Sequence, residues 1–392
     1  MSLEGLSTRI PTVSPERVVD AAGALVIDLR SPAEFADDHV PGAVNVPLFD
    51  DFERAVVGTL YARRSPQAAF EEGRRTTRRK VDDLVARIGE YAGWHAPAVD
   101  LGHRVEELTA AGIGALEDGL EPEPTAELPP DMVVLACWRG GLRSRSVTAL
   151  LRGLGLERAV MLEGGYRAYR RHVRAGIDAW LPPRCFVLRG LTGVGKSLVL
   201  RAIEELRPGW TLDLELLAEH RSSILGMVGL EPVTQKRFES RLAQRLRAGF
   251  EGPCVLEGES RKVGDVILPP AVWNALIGGT SLELVASVER RVRVLIEDYL
   301  VDEGNRDELA RQLPFLEERL GKEKWKGKLV ELLVGGREEE LVALLLERYY
   351  DPLYRHSESK HVLVERFSSE SAEDAAASVV EWIERRLRHE IG

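Results

Sequence analysis

The sequence predicts an α/β protein of two domains, each built on a parallel sheet, with a helical region at the C-terminal end. Three observations carry this. The chain has 392 residues, long for a single core. Short apolar runs alternate with helical patterns in both halves, as in βαβ folds. Two of those runs lead into glycine-rich loops, "CWRGGLRS" at 137–144 and "GLTGVGKS" at 190–197, each followed by helical sequence.

The elements follow in order. "ALVIDLR" at 24–30 reads as a buried strand. "SPAEF" then supplies Ser31 as N-cap, Pro32 at the first helical position and Glu34 three residues after the cap, a capping box. A mostly helical section spans about 50–118, and "EPEPTAELPP" at 121–130 reads as an exposed connection. "MVVLAC" at 132–137 is a second strand. "SRSVTALLRGLGL" after it places Val147, Leu150, Leu151 and Leu154 on one helical face. A boundary at "WLPPRC" divides the chain into domains 1–180 and 181–392. Beyond it "CFVLRG" is a strand, and the helix after the second loop puts Val199, Ala202, Ile203 and Leu206 on one face. "PCVLEGES" at 253–260 is strand-like, and from 281 onward the pattern is charged and helical. No fixed-period repeat is present.

Composition narrows the class. Apolar residues at 44% and charged residues at 30% are those of a soluble globular protein. No apolar run nears the roughly 20 residues that span a bilayer. The start "MSLEGLSTRI" lacks the basic and apolar regions of a secretory signal. Three widely spaced cysteines argue against a disulfide framework and for a reducing cytoplasm. A formal charge of −10 excludes coating of nucleic acid by bulk charge. It leaves room for local basic faces: "RRTTRRK" at 74–80, and "YRAYRRHVR" at 166–174, where Arg alternates with Tyr and His. Such interleaving suits stacking on bases and pairing with phosphates, and equally suits a solvated helix face.

The loop at 190–197 has the Walker A spacing, with Gly190, Thr192, Gly193, Gly195, Lys196 and Ser197 as phosphate-binding candidates. Glycines let the backbone wrap a phosphate, the helix N-terminus adds partial positive charge, Lys196 supplies a point charge and Ser197 can reach a Mg²⁺. A carboxylate for that metal would come from Asp213, Glu257 or Glu259, each equally readable as a cap or surface acid. Whether the loop takes a nucleotide is left open.

Cys137 closes a strand and opens the other loop. A thiolate nucleophile needs a lowered pKa, which inward amides at a helix N-terminus supply, aided by Arg139 and Arg143. The same cradle binds an oxyanion beside the sulfur, so Cys137 can attack a sulfur or selenium donor, or a phosphoester. A phosphatase loop has the same Cys-to-Arg spacing, and a buried structural cysteine is the plain alternative. Cys185 and Cys254, at the starts of apolar strands without glycine loops, fit that plain role.

"VIDLRSPAEFADDHVPGAVNVP" resembles the N-terminal signature of rhodanese domains, and "CWRGGLRS" their active-site loop. A rhodanese domain joined to a P-loop domain resembles the tRNA 2-selenouridine synthase family. "LDLELLAEHRSS", "QKRFESRLAQRL", "GESRKVGDVILP" and "LLLERYYDPLYRHS" are similar to further segments of it, so the likeness covers roughly 20–90 and 131–360. The resemblance implies alkylation of the wobble 2-thiouridine of certain tRNAs by geranyl diphosphate. Selenium from selenophosphate then displaces the geranylated sulfur. It implies Cys137 in the selenium step and a donor phosphate on the Walker A loop, with a selenophosphate-supplying enzyme as a partner. Both donors are already activated, so the chemistry does not require ATP. Arg145, Arg152, Arg167 and Arg170 are expected tRNA contacts.

Two departures stand out. Residues 93–130 look like an insertion, whose His95 and His103 are expected to be surface or structural. Gly258 stands where the family pattern has an acid, shifting weight onto Glu259. Three rivals remain: a sulfurtransferase without selenium, a P-loop kinase with a regulatory rhodanese domain, and a non-catalytic tRNA-binding protein.

Overall fold

The computed structural model describes residues 9–391, apart from 22, 126–128, 130, 224, 301 and 354–360. The chain divides into two compact units, Met1–Ala175 and Gly176–Gly392.

The first unit holds β1 (Arg9–Val13), β2 (Leu25–Asp28), β3 (Val44–Asn45), β4 (Glu121–Pro124), β5 (Val133–Ala136) and β6 (Ala159–Leu162). They form one parallel sheet in the order β3-β2-β5-β6-β1-β4. Its helices are α1 (Pro15–Asp20), α2 (Pro32–Asp37), α3 (Asp51–Arg63), α4 (Pro66–Ala92), α5 (Leu101–Thr109), α6 (Gly112–Gly119), α7 (Leu142–Gly153) and α8 (Gly165–Asp178). β5 is buried along its whole length, as a strand covered on both faces must be, which is why it reads as an unbroken apolar run. The expected face of α7 is right: Val147, Leu150 and Leu151 are buried with Ile27 and Leu135, and Leu154 packs against them. Ser31 begins α2, and its N–H donates to Glu34 Oε2 at 3.3 Å, the returning half of the capping box.

One expectation for this unit fails. The Pro- and Glu-rich stretch is not only a connection: Glu121–Pro124 forms the edge strand β4, paired parallel to β1. All four residues are exposed, and an edge tolerates prolines because one side of the strand needs no N–H donors. Arg9 pairs with Glu123 at 3.1 Å across the ladder.

The second unit holds β7 (Cys185–Arg189), β8 (Thr211–Leu212), β9 (Cys254–Glu257), the short antiparallel pair β10 (Lys262–Val263) and β11 (Val266–Ile267), β12 (Thr280–Val285) and β13 (Leu363–Ser368). The main sheet is parallel in the order β13-β12-β7-β9-β8. Its helices are α9 (Lys196–Leu206), α10 (Leu214–Ala218), α11 (Gln235–Arg247), α12 (Pro270–Gly278), α13 (Val288–Tyr299), α14 (Glu303–Trp325), α15 (Lys328–Val334), α16 (Glu338–Leu345) and α17 (Ala372–Ile391), with a π-turn at Leu346–Tyr350. The region after 281 is therefore not wholly helical. β12 lies inside the sheet and β13 at its edge, and charges such as Glu283 and Arg366, paired at 2.6 Å, hid the strand pattern. In α9, Val199, Leu200 and Ile203 are buried, whereas Leu206 is 44% exposed, so the buried face is rotated toward Leu200. A second core gathers Leu309, Leu313, Leu329, Leu341 and Leu345 from α14–α16 against Val292 and Tyr299 of α13. No helix among the described residues is long and apolar enough to cross a membrane.

Candidate active site

Both sequence-predicted loops lie at the carboxyl ends of parallel strands, where α/β folds place their chemistry. In the first unit β5 ends at Ala136 and Cys137 follows, buried to 2% exposure. Its Sγ lies 3.1 Å from Ser144 Oγ. Gly141 caps α7, whose first intrahelical bond is donated by Arg145 N to Gly141 O at 3.1 Å. The amides of residues 142–144 are thus left for an anion. The far side of the loop is clamped by α8. Tyr166 N donates to Cys137 O at 2.8 Å and Arg167 N to Trp138 O at 3.0 Å. Gly165 permits this approach, because a Cβ there would stand 2.3 Å from Cys137 O and 2.5 Å from Gly140 N.

Behind the loop lies a buried ionic knot that the sequence did not single out. Arg30 is 1% exposed and bonds Asp28 Oδ2 at 2.6 Å and Asp38 O at 2.7 Å. Its guanidinium stacks 3.7 Å from the centre of the Tyr166 ring. The Tyr166 hydroxyl donates to Asp38 Oδ2 at 2.8 Å, and burial, with Asp38 beside it, raises that phenol's pKa. The knot fixes the start of α8 against the cysteine loop.

The basic candidates divide. Arg139 and Arg167 are exposed, and Arg143 Nη1 stands 4.0 Å from Glu34 Oε2. The Nε of Arg145 is buried with no hydrogen-bond partner. Two do not fit the expected role of open tRNA contacts. Arg170 turns inward to Asp38 at 3.4 Å, and Arg152 binds the carbonyls of Glu157 and Ala159. Both make bonds within the protein, Arg170 to the buried Asp38 and Arg152 to main-chain carbonyls just past the end of α7. His95 is exposed and His103 pairs with Glu107 at 3.3 Å on α5, surface positions as expected.

In the second unit β7 runs into the Walker A loop. Gly190, Gly193 and Gly195 have φ of +147°, +82° and +82°, and a Cβ on Gly190 would lie 2.5 Å from Leu284 O. Gly195 caps α9, so Lys196 and Ser197 open a helix N-terminus. The loop is held from outside: Arg291 Nε donates to Thr192 O at 2.8 Å and Ser369 Oγ to Val194 O at 2.8 Å. Arg291 is itself fixed by Asp351, with Nη1 to Oδ2 at 3.1 Å.

Four acids face this loop. Asp213 follows β8 and caps α10, accepting from Leu216 N at 2.7 Å, so it plays the cap role. Burial nevertheless raises its pKa, with Glu215 adding to the rise. Glu257 ends β9, is wholly buried, and meets Ser197 Oγ at 3.2 Å while accepting from Glu215 N at 2.8 Å. Burial first, then Glu215, Asp213 and Glu259, push its pKa well above the ordinary carboxylate range. Glu259 lies 3.8 Å from Lys196 Nζ, and burial pushes it up to about 7 against the pull of Lys196. Glu215, to which the sequence assigned no role, accepts from Ser197 Oγ at 3.0 Å and from Ser222 N at 2.5 Å. A run of acids in "LDLELL" gave no local sign of which one turns to the loop. Gly258 has a physical reason: a Cβ there would stand 2.8 Å from Arg189 Cγ.

The loop, with Asp213, Glu215 and Glu259, bounds a cavity of about 220 Å³. Its lining also includes Arg201 and Arg221, and the apolar Leu198, Leu230, Val294 and Leu295. One cavity thus has both the phosphate loop and apolar side chains in its lining. No group of three or more His, Cys, Asp or Glu among the described residues is arranged to hold a metal alone. The Ser197 hydroxyl and Glu215 carboxylate are oxygen donors of the kind Mg²⁺ shares with phosphate oxygens and water, so the residues fit that ion.

A buried thiol in an amide cradle on one parallel unit, and a Walker A loop on another, define a two-domain P-loop enzyme with a rhodanese-type partner domain. The comparisons agree. Residues 16–82 match the rhodanese-like domain, and residues 183–390 match the tRNA 2-selenouridine synthase AAA domain. The tRNA 2-selenouridine synthase of Cupriavidus pinatubonensis is 30% identical, covering 93% of this chain and 96% of that protein. The one from Chromohalobacter salexigens is also 30% identical, covering 88% and 91%. The one from Bordetella petrii is 29% identical, covering 86% and 87%. The chain belongs to the tRNA 2-selenouridine synthase family.

Proposed function

We propose that this protein is a cytoplasmic transferase that converts 2-thiouridine at the tRNA wobble position to 2-selenouridine through an S-geranyl-2-thiouridine intermediate. Geranyl diphosphate and selenophosphate are its co-substrates, and a selenophosphate-supplying enzyme is its partner. The observation that carries the reading is the composition of the cavity beside the Walker A loop. A prenyl diphosphate needs a phosphate cradle and an apolar wall in one place, and Lys196 and Ser197 adjoin Leu198, Leu230, Val294 and Leu295 there.

The division of labour follows from bond strengths. The thiocarbonyl sulfur leaves poorly, and alkylation makes it a good leaving group. Diphosphate on the amides of the loop, with Lys196, Arg201 and Arg221 beside it, is stabilised as charge builds on it during departure. Mg²⁺ held by Ser197 and Glu215 would neutralise that charge further. Cys137, in its own oxyanion cradle, serves the selenium step, and the exposed Arg139 and Arg167 flank that loop on the side open to a polyanion.

Mass spectrometry of nucleosides tests this, after incubating the protein with 2-thiouridine tRNA, geranyl diphosphate and selenophosphate. The expected sequence is a geranylated species, then 2-selenouridine. Unchanged 2-thiouridine with folded protein would transfer weight to the sulfurtransferase and kinase readings.

A further inference from the structure

The two basic stretches of the sequence meet different fates in the fold. "RRTTRRK" lies on α4, where four of its five cations face a carboxylate. Arg74 pairs with Glu71 at 2.8 Å, Arg75 with Glu72 at 3.4 Å and Arg78 with Glu106 of α5 at 2.6 Å. Lys80 stands between Asp50 and Glu53, at 3.2 and 2.5 Å. The fifth, Arg79, donates to the Thr76 hydroxyl at 3.3 Å. A polyanion approaching this helix would meet an acid beside nearly every cation.

On α8 the second stretch is sorted by face. Tyr166, Tyr169, Val173 and Ile177 recur every three or four residues and are buried. The rings that alternate with arginine in the sequence are therefore packed inward, at 2% exposure each, and are out of reach of a base. Arg167, Arg171 and Arg174, four and three residues apart, share an exposed stripe. Among the described residues none of the three forms an ion pair, and the exposed acids near the ends of the helix, Glu163 and Asp178, reach none of them. The stripe runs about 10 Å along the helix, at about 1.5 Å per residue. It begins at the cysteine loop, where Arg167 N donates to Trp138 O and the exposed Arg139 adds a fourth cation.

The formal charge of −10 does not oppose binding here. At physiological salt, charges farther off than about 8 Å are largely screened, so a bound phosphate senses the local balance. That balance is positive along α8 and close to neutral along α4. We propose that the Arg167, Arg171 and Arg174 stripe of α8 seats the tRNA, holding backbone phosphates of the anticodon stem so that the wobble base comes to the Cys137 loop. This rests on the function proposed above. The contact is with phosphates and not with bases. The aromatic side chains are turned into the core, and an A-form stem hides its base edges in a deep, narrow groove. Binding is therefore indifferent to stem sequence and steep in salt.

The test is binding of a fluorescent 2-thiouridine anticodon stem-loop to the full chain, titrated across salt. Arg171→Ala with Arg174→Ala should raise Kd roughly thirtyfold at about 0.1 M salt and make the salt slope shallower by about 1.5, at about 0.7–0.9 per phosphate. Should that pair fail to fold, Arg174→Ala alone decides, with a rise of roughly fivefold and a slope change of about 0.8. Arg75→Ala with Arg78→Ala removes the same two charges from α4 and should leave Kd within about twofold of wild type. Exchanging the base pairs of the stem should leave the loss on α8 unchanged. If the α8 variants bind as wild type does, or the α4 pair weakens binding as much, or the loss depends on stem sequence, the proposal is overturned and the function proposed above stands. If wild type does not bind the stem-loop, both fall.

Discussion

Lys196 Nζ stands 3.8 Å from Glu259 Oε1, a distance at which the loop lysine is neutralised by its own protein once Glu259 ionises. Because Glu259 titrates at about 7, diphosphate affinity should fall as pH rises from 6 to 8, and Glu259→Gln should remove that fall. Stability follows the same group. Its folded pKa lies above the unfolded value, so the folded chain holds the extra proton and stability drops as pH rises from about 4.5 to about 7. Glu259→Gln should therefore melt higher than wild type at pH 8, by an amount on the order of 1–3 kcal/mol. Isothermal titration with inorganic diphosphate and thermal melts at both pH values check the pair of statements.

Lys196→Ala should weaken diphosphate binding by about 1.5–3 kcal/mol, the range for a charge-assisted contact in a partly dry site. Folding should be little changed below about pH 7, where Glu259 is protonated and needs no partner, since the loop anchors stay intact. Unchanged affinity together with unchanged alkylation would mean that the loop does not hold the donor.

Cys137→Ser should abolish selenium incorporation and leave tRNA binding and geranylation near wild type. The hydroxyl can still meet Ser144 Oγ, so the melt should move by less than about 1 kcal/mol. Loss of all three activities would show that the thiol is structural.

Gly165→Ala separates the two units. Its φ is +60° and its Cβ would drive into Cys137 O and Gly140 N, so the cysteine loop must shift. The cost should be about 1–3 kcal/mol, with selenium transfer lost and diphosphate binding in the second unit retained. Parallel melting and nucleoside assays would show whether that selectivity holds.

Local rules made much of this molecule legible. The capping box at Ser31 and Glu34, the buried runs of β5, β7 and β9, and the Walker A spacing all depend on residues within one turn or one strand. What escaped depends on residues that meet only in the folded chain. Glu215 reaches Ser197 from a helix eighteen positions away, and nothing in "LDLELL" separates it from its neighbours. Arg152 and Arg170 were expected to face tRNA, and the fold turns them to main-chain carbonyls and to Asp38. β12 and β13 were masked because edge pairing puts Glu283 opposite Arg366, replacing apolar alternation by charge. β4 was hidden by prolines that only an edge accepts.

The hydrogen bond from Ser369 to the Walker A loop bears on how this protein is born. Residue 194 leaves the ribosome long before residue 369, and until the later segment lays β13 beside β12 the loop lacks one of its two outside anchors. A nascent or prematurely ended chain therefore carries the full phosphate-binding sequence without its finished shape. The finished phosphate cradle therefore arrives late in synthesis, after most of the chain has already been made.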